Sequence, residues 1–382
     1  MTENALGTAR GMSAGSVPIS RRLAILVLAT ATVAALAGPL APPTMAEPAA
    51  TGFVYTADEN GNTVSRIDLG SGKVEVLPVS ITPHNVQFVP GKSLLLAVGL
   101  PVPVNKESSH GNDHTHGNKD GGHGKGGHGG ATATGQLIVF DAGNILSGPK
   151  TSITVGGHPA HVIADADGRR AYVTNSEDDT MSVIDLDKGK VIATVATGDY
   201  PHGLRMSPEG KSIYVANVED GTVSVIDTAS LSETTRIRVG ATPVQVGFTP
   251  DASRVYVSLR DENKVAVIDT ATQQVAARID VGRSPIQMYA TPDGRFVYIA
   301  NQGTEAEPDD TVSVIDTAKE AVVKTIRTGR GAHGVTVSDD GASVFVTNIV
   351  DATVSEISVK SQSVVRTHRV GKGPNGITYQ TR

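Results

Sequence analysis

A repeat of 42 residues is the feature that most limits how this chain can fold. The tripeptide Val-Ile-Asp occurs at Val183–Asp185 and recurs at intervals of 42 residues at Val225–Asp227 and Val267–Asp269. A fourth copy, Val314–Asp316, follows after 47 residues. Degenerate copies bring the number to seven: Arg66–Asp68, Val139–Asp141 and Glu356–Ser358. Repeats of about 40–50 residues built from short strands are typical of β-propellers, in which each repeat forms one blade. The spacing therefore predicts seven blades.

Each repeat contains four segments with strand character, here called A to D in order along the repeat. Segment B is rich in β-branched and aromatic residues, as in Ile213–Asn217, and segment C alternates apolar and polar residues, as in Thr222–Asp227. Turns such as Thr291–Gly294 join A to B, with Pro and Gly supplying the dihedral angles of a tight turn. This pattern predicts an all-β fold of four-stranded blades.

The two ends of the repeat region complement each other. The region begins with a B-type segment, Phe53–Ala57, and finishes with an A-type segment, Gly376–Gln380. Pairing the C-terminal strand with the N-terminal strands in one blade closes the ring and removes free sheet edges. We therefore expect residues 47–382 to form a closed seven-bladed β-propeller.

The strand sequences also carry a family resemblance. The segments Tyr172–Asn175 and Val344–Asn348, together with the Thr-Val-Ser-Val-Ile-Asp strands, resemble the YVTN-type (YncE-like) propeller repeat family over residues 53–381. The resemblance implies the seven-bladed fold. It implies little about function, because propellers of this type serve many roles.

The first 46 residues are typical of an export signal. Ser20-Arg21-Arg22 precedes the apolar stretch Leu23–Ala37, and Thr44-Met45-Ala46 offers small residues for cleavage before Glu47. Two interpretations stay open, a twin-arginine signal and an ordinary secretory signal. Both predict an extracytoplasmic location, in the periplasm or at the cell surface. The apolar stretch is too short for a membrane span, so we expect none after signal removal.

Composition excludes several kinds of site. The chain has no cysteine, which excludes thiolate metal sites, disulfides and covalently attached c-type haem. The formal net charge is −6, and removal of residues 1–46 makes it about −8. Phosphate binding needs concentrated positive charge, so nucleic acid is not an expected partner.

Polar residues recur just after the start of segment A, the innermost strand of a propeller blade. Imidazole suits Zn²⁺ and Cu²⁺, so three or four histidines converging on the channel predict a site for either ion. The alternative is that these polar groups only bind water at the channel mouth. We expect these polar side chains to lie at about the same depth in the channel, although His161 lies one position later in its segment than the other histidines. The residues are His84, His161, His202, His333, Gln245, Gln287 and Asn375.

A long insertion interrupts the second repeat between segments B and C, over residues 100–135. Its middle contains nine glycines and five histidines: His110, His114, His116, His123 and His128. Such a composition cannot bury a core, so we expect a disordered loop. It should lie on the propeller face at which the histidine-lined channel opens. Transition-metal capture is the predicted role, and a histidine-rich linker without function is the alternative.

Three arginines support a rival interpretation of the channel mouth, namely anion binding. Arg283 and Arg330 lie in D-to-A turns, and Arg205 lies just beyond His202. Together with the channel amides, they are candidates for binding an anion.

These features favour binding over catalysis, because no nucleophile–histidine–acid motif or phosphate loop is present. The leading hypothesis is an extracytoplasmic metal-binding protein for zinc or copper capture, buffering or chaperoning. Its layout is similar to that of propeller-type periplasmic zinc metallochaperones. We expect a monomer that binds a metal-transport or surface protein. Alternatives are a propeller enzyme, similar to lactonases or the propeller domains of nitrous oxide reductase and cytochrome cd1, and a cell-surface interaction scaffold.

Overall fold

The seven sequence repeats correspond to seven four-stranded sheets. The computed structural model describes residues 50–103 and 133–382 of the chain, and within these ranges every sheet is antiparallel. The predicted all-β propeller with four-stranded blades is confirmed. Residues 1–46, interpreted as an export signal, lie outside the described residues.

The blades are numbered along the chain and their strands run from A, innermost, to D, outermost. Blade 1 contains β28 (Pro374–Gln380), β1 (Phe53–Asp58), β2 (Thr63–Asp68) and β3 (Val74–Pro78). Blade 2 contains β4 (Ile81–Val89), β5 (Leu94–Pro101), β6 (Thr134–Asp141) and β7 (Thr151–Gly157). Blade 3 contains β8 (Pro159–Ala164), β9 (Arg170–Asn175), β10 (Thr180–Asp185) and β11 (Lys190–Ala196).

The other four blades follow in chain order. Blade 4 contains β12 (Pro201–Met206), β13 (Ser212–Asn217), β14 (Thr222–Asp227) and β15 (Ser232–Arg238). Blade 5 contains β16 (Pro243–Phe248), β17 (Arg254–Leu259), β18 (Lys264–Asp269) and β19 (Gln274–Asp280). Blade 6 contains β20 (Pro285–Ala290), β21 (Phe296–Gly303), β22 (Pro308–Asp316) and β23 (Ala321–Arg327). Blade 7 contains β24 (Ala332–Val337), β25 (Ser343–Asn348), β26 (Thr353–Ser358) and β27 (Ser363–Arg369).

Short 3-10 turns complete the secondary structure. They lie in loops at Glu59–Gly61, Pro90–Lys92, Ala142–Ser147, Ser176–Asp178 and Arg260–Glu262. No helix in the described part of the chain has the length and apolar character needed to span a bilayer.

Blade 1 closes the ring by combining both ends of the repeat region. In β28 and β1, Phe53 pairs with Gln380 and Val54 pairs with Tyr379 in antiparallel register. Each A strand also contacts the A strands of both adjacent blades, so the seven innermost strands form a continuous ring. The predicted closure by the C-terminal strand is confirmed.

The core is divided among the junctions between blades. Alternation along strands B and C directs apolar side chains to the two faces of each sheet, where they meet those of the adjacent blades. Tyr55 and Phe140 pack between blades 1 and 2, and Ile67 and Phe345 pack between blades 1 and 7. An apolar cluster of this kind lies at each of the seven junctions of the described propeller.

A polar anchor recurs where strand B ends. Asn217 Nδ2 donates hydrogen bonds to Thr222 Oγ1 at 3.0 Å and Ser224 Oγ at 2.9 Å. Blades 3, 6 and 7 repeat this arrangement with their own asparagines. Blade 1 has Asp58 in this position, and its carboxylate accepts hydrogen bonds from Ser65 at 2.6 Å and from two threonines. Asp58 is fully buried, and burial raises its pKa to about 6 despite these hydrogen bonds.

A charged pair lies in the junction between blades 7 and 1. Glu356 in β26 is buried and accepts a 2.7 Å hydrogen bond from Arg366 Nε in β27. Arg366 Nη1 also donates to the backbone oxygen of Leu69 in blade 1, at 2.9 Å. The regular repeats have valine at the place of Glu356, as in Val225. The pair therefore replaces an apolar contact at the junction where the ring closes.

Candidate metal centre

Each A strand carries a bulge close to its start, and the channel residues lie in these bulges. In blade 4, Pro201 pairs with Asn217 but the next ladder pair is Leu204 with Val215, so two residues of β12 leave the ladder. Blades 5, 6 and 7 shift register in the same way. A bulge redirects side chains at its position. It therefore turns polar residues toward the channel axis.

The polar residues occupy two successive positions of the bulge, not one. Where the first position is polar in blades 1, 4 and 7, glycine fills the second; where the second is polar in blades 3, 5 and 6, the first is aliphatic. The expectation of one shared depth is thus refined into two levels. First-position residues are His84, His202, His333 and Asn375; second-position residues are His161, Gln245 and Gln287.

Three histidines from consecutive blades converge despite this difference. One nitrogen from each of His84, His161 and His202 lies within 4.8 Å of the others. The ring centroids are 5.3 Å apart for His84 and His202 and 4.8 Å apart for His161 and His202. The rings are inclined to one another and not stacked, which lets their edges point to a common centre.

The tautomer of His202 is fixed by a backbone carbonyl. His202 Nδ1 lies 3.2 Å from the oxygen of Val244 in β16. A carbonyl oxygen can only accept, so Nδ1 carries the proton and Nε2 has a lone pair. Gly203 permits this approach, because a Cβ at that residue would lie 2.5 Å from the Val244 oxygen and 2.4 Å from Gln245 Oε1.

His84 is held by a carboxylate from the adjacent blade. Glu59 follows β1, and its Oε1 lies 3.3 Å from His84 Nδ1. Asn375 Nδ2 donates to Glu59 Oε2 at 2.6 Å. Burial raises the pKa of Glu59, but His84 and Asn375 outweigh burial and the net pKa is lowered. Glu59 is therefore an ionised acceptor, and it places the proton of His84 on Nδ1.

The unprotonated Nε2 atoms of His84 and His202 lie close to each other. His84 Nε2 lies 3.3 Å from His202 Nε2. With both Nδ1 atoms protonated, the two lone pairs are directed at one another, an arrangement that a cation between them stabilises. Zinc binds imidazole nitrogen at about 2.0–2.1 Å, so two nitrogens of a tetrahedral ion lie about 3.3–3.4 Å apart. The separation matches that edge.

His161 supplies the third imidazole from a fully buried position. Gln245 Nε2 donates a hydrogen bond to its Nδ1 at 3.4 Å, and its Nε2 has no hydrogen-bond partner among the described residues. Because an amide nitrogen can only donate, the lone pair of the neutral His161 ring lies on Nδ1. Burial, followed by the charges of His202 and His84, holds the pKa of His161 well below its usual range. The ring is therefore neutral, as a metal ligand requires.

Thr174 in β9 connects two of the three histidines through the backbone. Its Oγ1 accepts a hydrogen bond from the His161 N–H at 3.1 Å and donates to the His202 carbonyl oxygen at 2.6 Å. Thr174 is fully buried; its bond to His161 lies within blade 3, and its bond to His202 crosses the junction between blades 3 and 4. One side chain of β9 thus contacts the backbone of both histidines.

The comparisons with known proteins agree with this architecture. The model of the family described as YNCE-like beta-propeller matches residues 150–381, more than half of the chain. The chain belongs to the YNCE-like β-propeller family. No curated protein matches its sequence.

Solved structures show the same fold at low sequence identity. A functionally unknown protein from Desulfotomaculum acetoxidans DSM 771 is 14% identical with a TM-score of 0.67, and the alignment covers 87% of this chain and 99% of that one. Kuenenia stuttgartiensis hydrazine synthase is 19% identical with a TM-score of 0.60, covering 77% and 88%. Such likeness concerns the fold of this YNCE-like propeller alone.

The other predicted channel residues lie outside the three-histidine cluster. His333 is buried in blade 7 of the YNCE-like propeller, and its Nδ1 has no hydrogen-bond partner among the described residues. Burial and the charge of His84 lower the pKa of His333 to about 3, although Glu59 acts in the opposite direction. Gln245 and Gln287 are buried on blades 5 and 6. Of these residues, Gln245 contacts His161 and Asn375 contacts Glu59.

The three arginines proposed for anion binding have different surroundings. Arg283 contacts Glu307 and Asp309, and Arg330 contacts Asp351. Arg205 extends from β12 with its guanidinium 5.9 Å from the centre of the Tyr289 ring. Burial lowers the pKa of Arg205. Two of the three guanidinium groups are therefore engaged by carboxylates in the loops.

The histidines of the insertion, His110, His114, His116, His123 and His128, lie outside the described residues. The strands that flank the insertion do have defined places. β5 ends at Pro101, and β6 begins at Thr134, which pairs with Gly157 next to the D-to-A turn of blade 3. Both strands thus reach the face on which the A-strand histidines lie.

Most acidic residues of the B-to-C loops have a structural task. Asp178 accepts a hydrogen bond from the Gly157 backbone, and Glu262 accepts one from the Ala241 backbone. Asp351 does the same for Arg330. These carboxylates stabilise the adjacent D-to-A turns. Glu59 differs because its carboxylate reaches a channel histidine.

Two contacts in this region were not predicted from the sequence. One is the Glu59–His84 contact, for which the only signal is an acidic residue directly after strand B. The other joins His158 Nδ1 to the Tyr200 hydroxyl at 3.1 Å, between successive D-to-A turns. Both residues have left-handed φ angles, 47° and 55°, immediately before a proline.

Proposed function

We propose that this protein binds one transition-metal ion, Zn²⁺ or Cu²⁺, at His84, His161 and His202. The observation that carries the proposal is the 3.3 Å approach of two Nε2 atoms whose Nδ1 partners, a carboxylate and a carbonyl, fix both lone pairs toward each other. The buried, neutral His161 completes a three-imidazole set. Imidazole is a good ligand for both ions.

The biological role that fits this site is metal capture, buffering or delivery outside the cytoplasm. The export-type sequence at residues 1–46 supports the location, and the histidine-rich insertion supports capture, since its flanking strands reach the same face. Three ligands leave one position of a tetrahedral ion open, through which an ion can be passed to a partner. A metal-transport or surface protein is the partner we propose.

Equilibrium dialysis of the full-length chain against Zn²⁺ and Cu²⁺ tests the proposal. We expect at least one equivalent bound with a Kd below about 1 μM, because weaker retention is too feeble for capture. A variant lacking residues 105–130 should bind fewer equivalents and keep the tight one. Absence of any submicromolar equivalent in both proteins would reject metal binding at the channel.

A second candidate function follows from the same open position. Three histidines with a bound water form the ligand set of hydrolytic and hydrating zinc enzymes, in which the ion generates a hydroxide near neutral pH. A metal-dependent hydrolase, for example one acting on lactones, is therefore the alternative. Turnover of lactone or ester substrates by the zinc-loaded protein, lost in His202→Ala and retained after deletion of residues 105–130, would favour it over a carrier.

A further inference from the structure

We propose that Glu59 is the positioning residue of the metal centre, fixing the His84 imidazole so that Nε2 is directed at the ion. This inference rests on the metal-binding function proposed above. Glu59 makes no contact that would let it act as a ligand itself, since the convergent nitrogens belong to the three histidines. It acts through His84 Nδ1, at 3.3 Å from its Oε1.

Glu59 is itself held on two sides, by the closing strand β28 and by the residue directly before it. Its backbone N–H donates to the Gly373 oxygen at 2.9 Å, and its Oε2 accepts from Asn375 Nδ2 at 2.6 Å. Asn375 Nδ2 also lies 3.3 Å from His84 Nδ1, but for this amide nitrogen the charged Oε2 of Glu59, at 2.6 Å, is the nearer and stronger acceptor. Nδ1 of His84 therefore donates to Glu59, and the carboxylate cannot rotate away without breaking the bond to Asn375.

The propeller repeat does not require an acid at this place. The residue equivalent to Glu59, one place after the counterpart of Asp58, is not acidic in the other blades whose loops are described: Ser176, Val218, Arg260, Gln302 and Ile349. In those loops the structural carboxylates come later and bind turn backbone, as Asp351 does. Among these loops, the acid occurs only in blade 1, beside His84; Ser176 and Gln302, which precede the blades of His202 and His333, are not acidic.

The chemistry explains what this carboxylate contributes. Three neutral imidazoles bring no charge to a divalent cation. A carboxylate behind a histidine fixes its tautomer, raises its donor strength and offsets part of the ion's charge. Loss of such an outer partner typically lowers metal affinity about 10–100-fold.

The affinity test compares three variants with the wild type in a zinc competition titration against a chromophoric chelator. Glu59→Ala should weaken zinc binding about 10–100-fold. Glu59→Gln should weaken it less, because the amide oxygen still accepts the proton of His84. Glu219→Gln is the matched control: it removes the same charge from the exposed B-to-C loop of the blade that supplies His202, and should change affinity less than about twofold.

A second readout needs no metal. In protein labelled with 15N-histidine, the side-chain nitrogen shifts of His84 should show the Nδ1-protonated tautomer in the wild type and lose it in Glu59→Ala. An unchanged tautomer in a folded Glu59→Ala protein would overturn the inference, as would affinity within about threefold of wild type. If the wild type binds no zinc, the proposed function fails, while the tautomer comparison still decides the role of Glu59.

Discussion

The hydroxyl of Thr174 donates a 2.6 Å hydrogen bond to the backbone oxygen of His202, and it accepts one from the backbone N–H of His161. One side chain of blade 3 therefore sets the position of two candidate ligands that belong to different blades. The distance between those ligands depends on a contact that neither imidazole makes.

Replacement of Thr174 by valine tests this arrangement. The substitution preserves shape and leaves a buried N–H and a buried carbonyl oxygen without their partner, which costs about 1–3 kcal/mol. We expect a lower midpoint of urea-induced unfolding and weaker zinc binding. Thr174→Ser, which keeps the hydroxyl, should retain most of the affinity. Equal zinc affinity in the valine and wild-type proteins would show that the backbone is fixed by other contacts.

Histidine variants separate the cluster from the rest of the channel. His202→Ala removes a ligand and should weaken zinc binding by more than about 100-fold, since loss of an outer partner alone costs 10–100-fold. His333→Asn, which places the side chain of Asn375 in the equivalent position of blade 7, should keep affinity within about threefold. Isothermal titration of both variants measures the difference. Equal losses would indicate that His333 also reaches the ion.

Asp58 predicts a pH dependence of stability. Its pKa is about 6 in the folded protein and about 3.8 in the unfolded chain, so between these values the folded state holds more protons. The free energy of unfolding should therefore fall as pH rises through this window, by up to about 3 kcal/mol from this group. Asp58→Asn introduces the residue that Asn217 provides in blade 4 and should be more stable than wild type at pH 7.

The comparison of Asp58→Asn with wild type is made by thermal unfolding at pH 4 and pH 7. The gain in stability should be present at pH 7 and small at pH 4, where the wild-type carboxyl is protonated in the folded state. A gain of the same size at both values would mean that hydrogen bonding, and not the buried charge, is responsible.

The Glu356–Arg366 pair predicts a non-additive result. Arg366→Met removes both guanidinium hydrogen bonds from the buried Glu356 carboxylate, which keeps the longer contacts with Ser343 and His368, and should cost about 3–5 kcal/mol. Glu356→Val in the same protein restores the valine of the regular repeats and should recover much of that loss. Urea unfolding of the single and double variants gives the coupling. If Arg366→Met and the double variant have equal stability, the loss of stability comes from the lost contact between Arg366 and the Leu69 backbone and not from the unpaired carboxylate.

The fold could be predicted almost completely because it depends on local patterns that repeat. The spacing of Val225–Asp227 and its copies gives the number of blades, and the different strand types at Phe53 and Gln380 give the closure. Such patterns are readable because each blade packs only against its two neighbours.

The centre could be predicted only in part because it depends on positions within bulges. The histidines of blades 2, 3 and 4 were recognised, but His161 occupies a different bulge position from His84. The partners of the imidazoles were not recognised. A backbone oxygen such as that of Val244 has no sequence signal, and Glu59 resembles the turn acids of the other loops until its direction is known.

In the proposed metal centre, the support for His84 would couple occupancy by an ion to completion of the polypeptide. Glu59 lies near the start of the repeat region and Asn375 near its end, 316 residues later, and they meet only when β28 has joined β1. A nascent or truncated chain that lacks the final strand would have all three histidines but not the Asn375–Glu59 hydrogen bond that supports His84. Ion binding would in turn favour the fully closed state over partially opened ones, by an amount that grows with free ion concentration. Metal supply would thereby become a determinant of how long the folded protein survives.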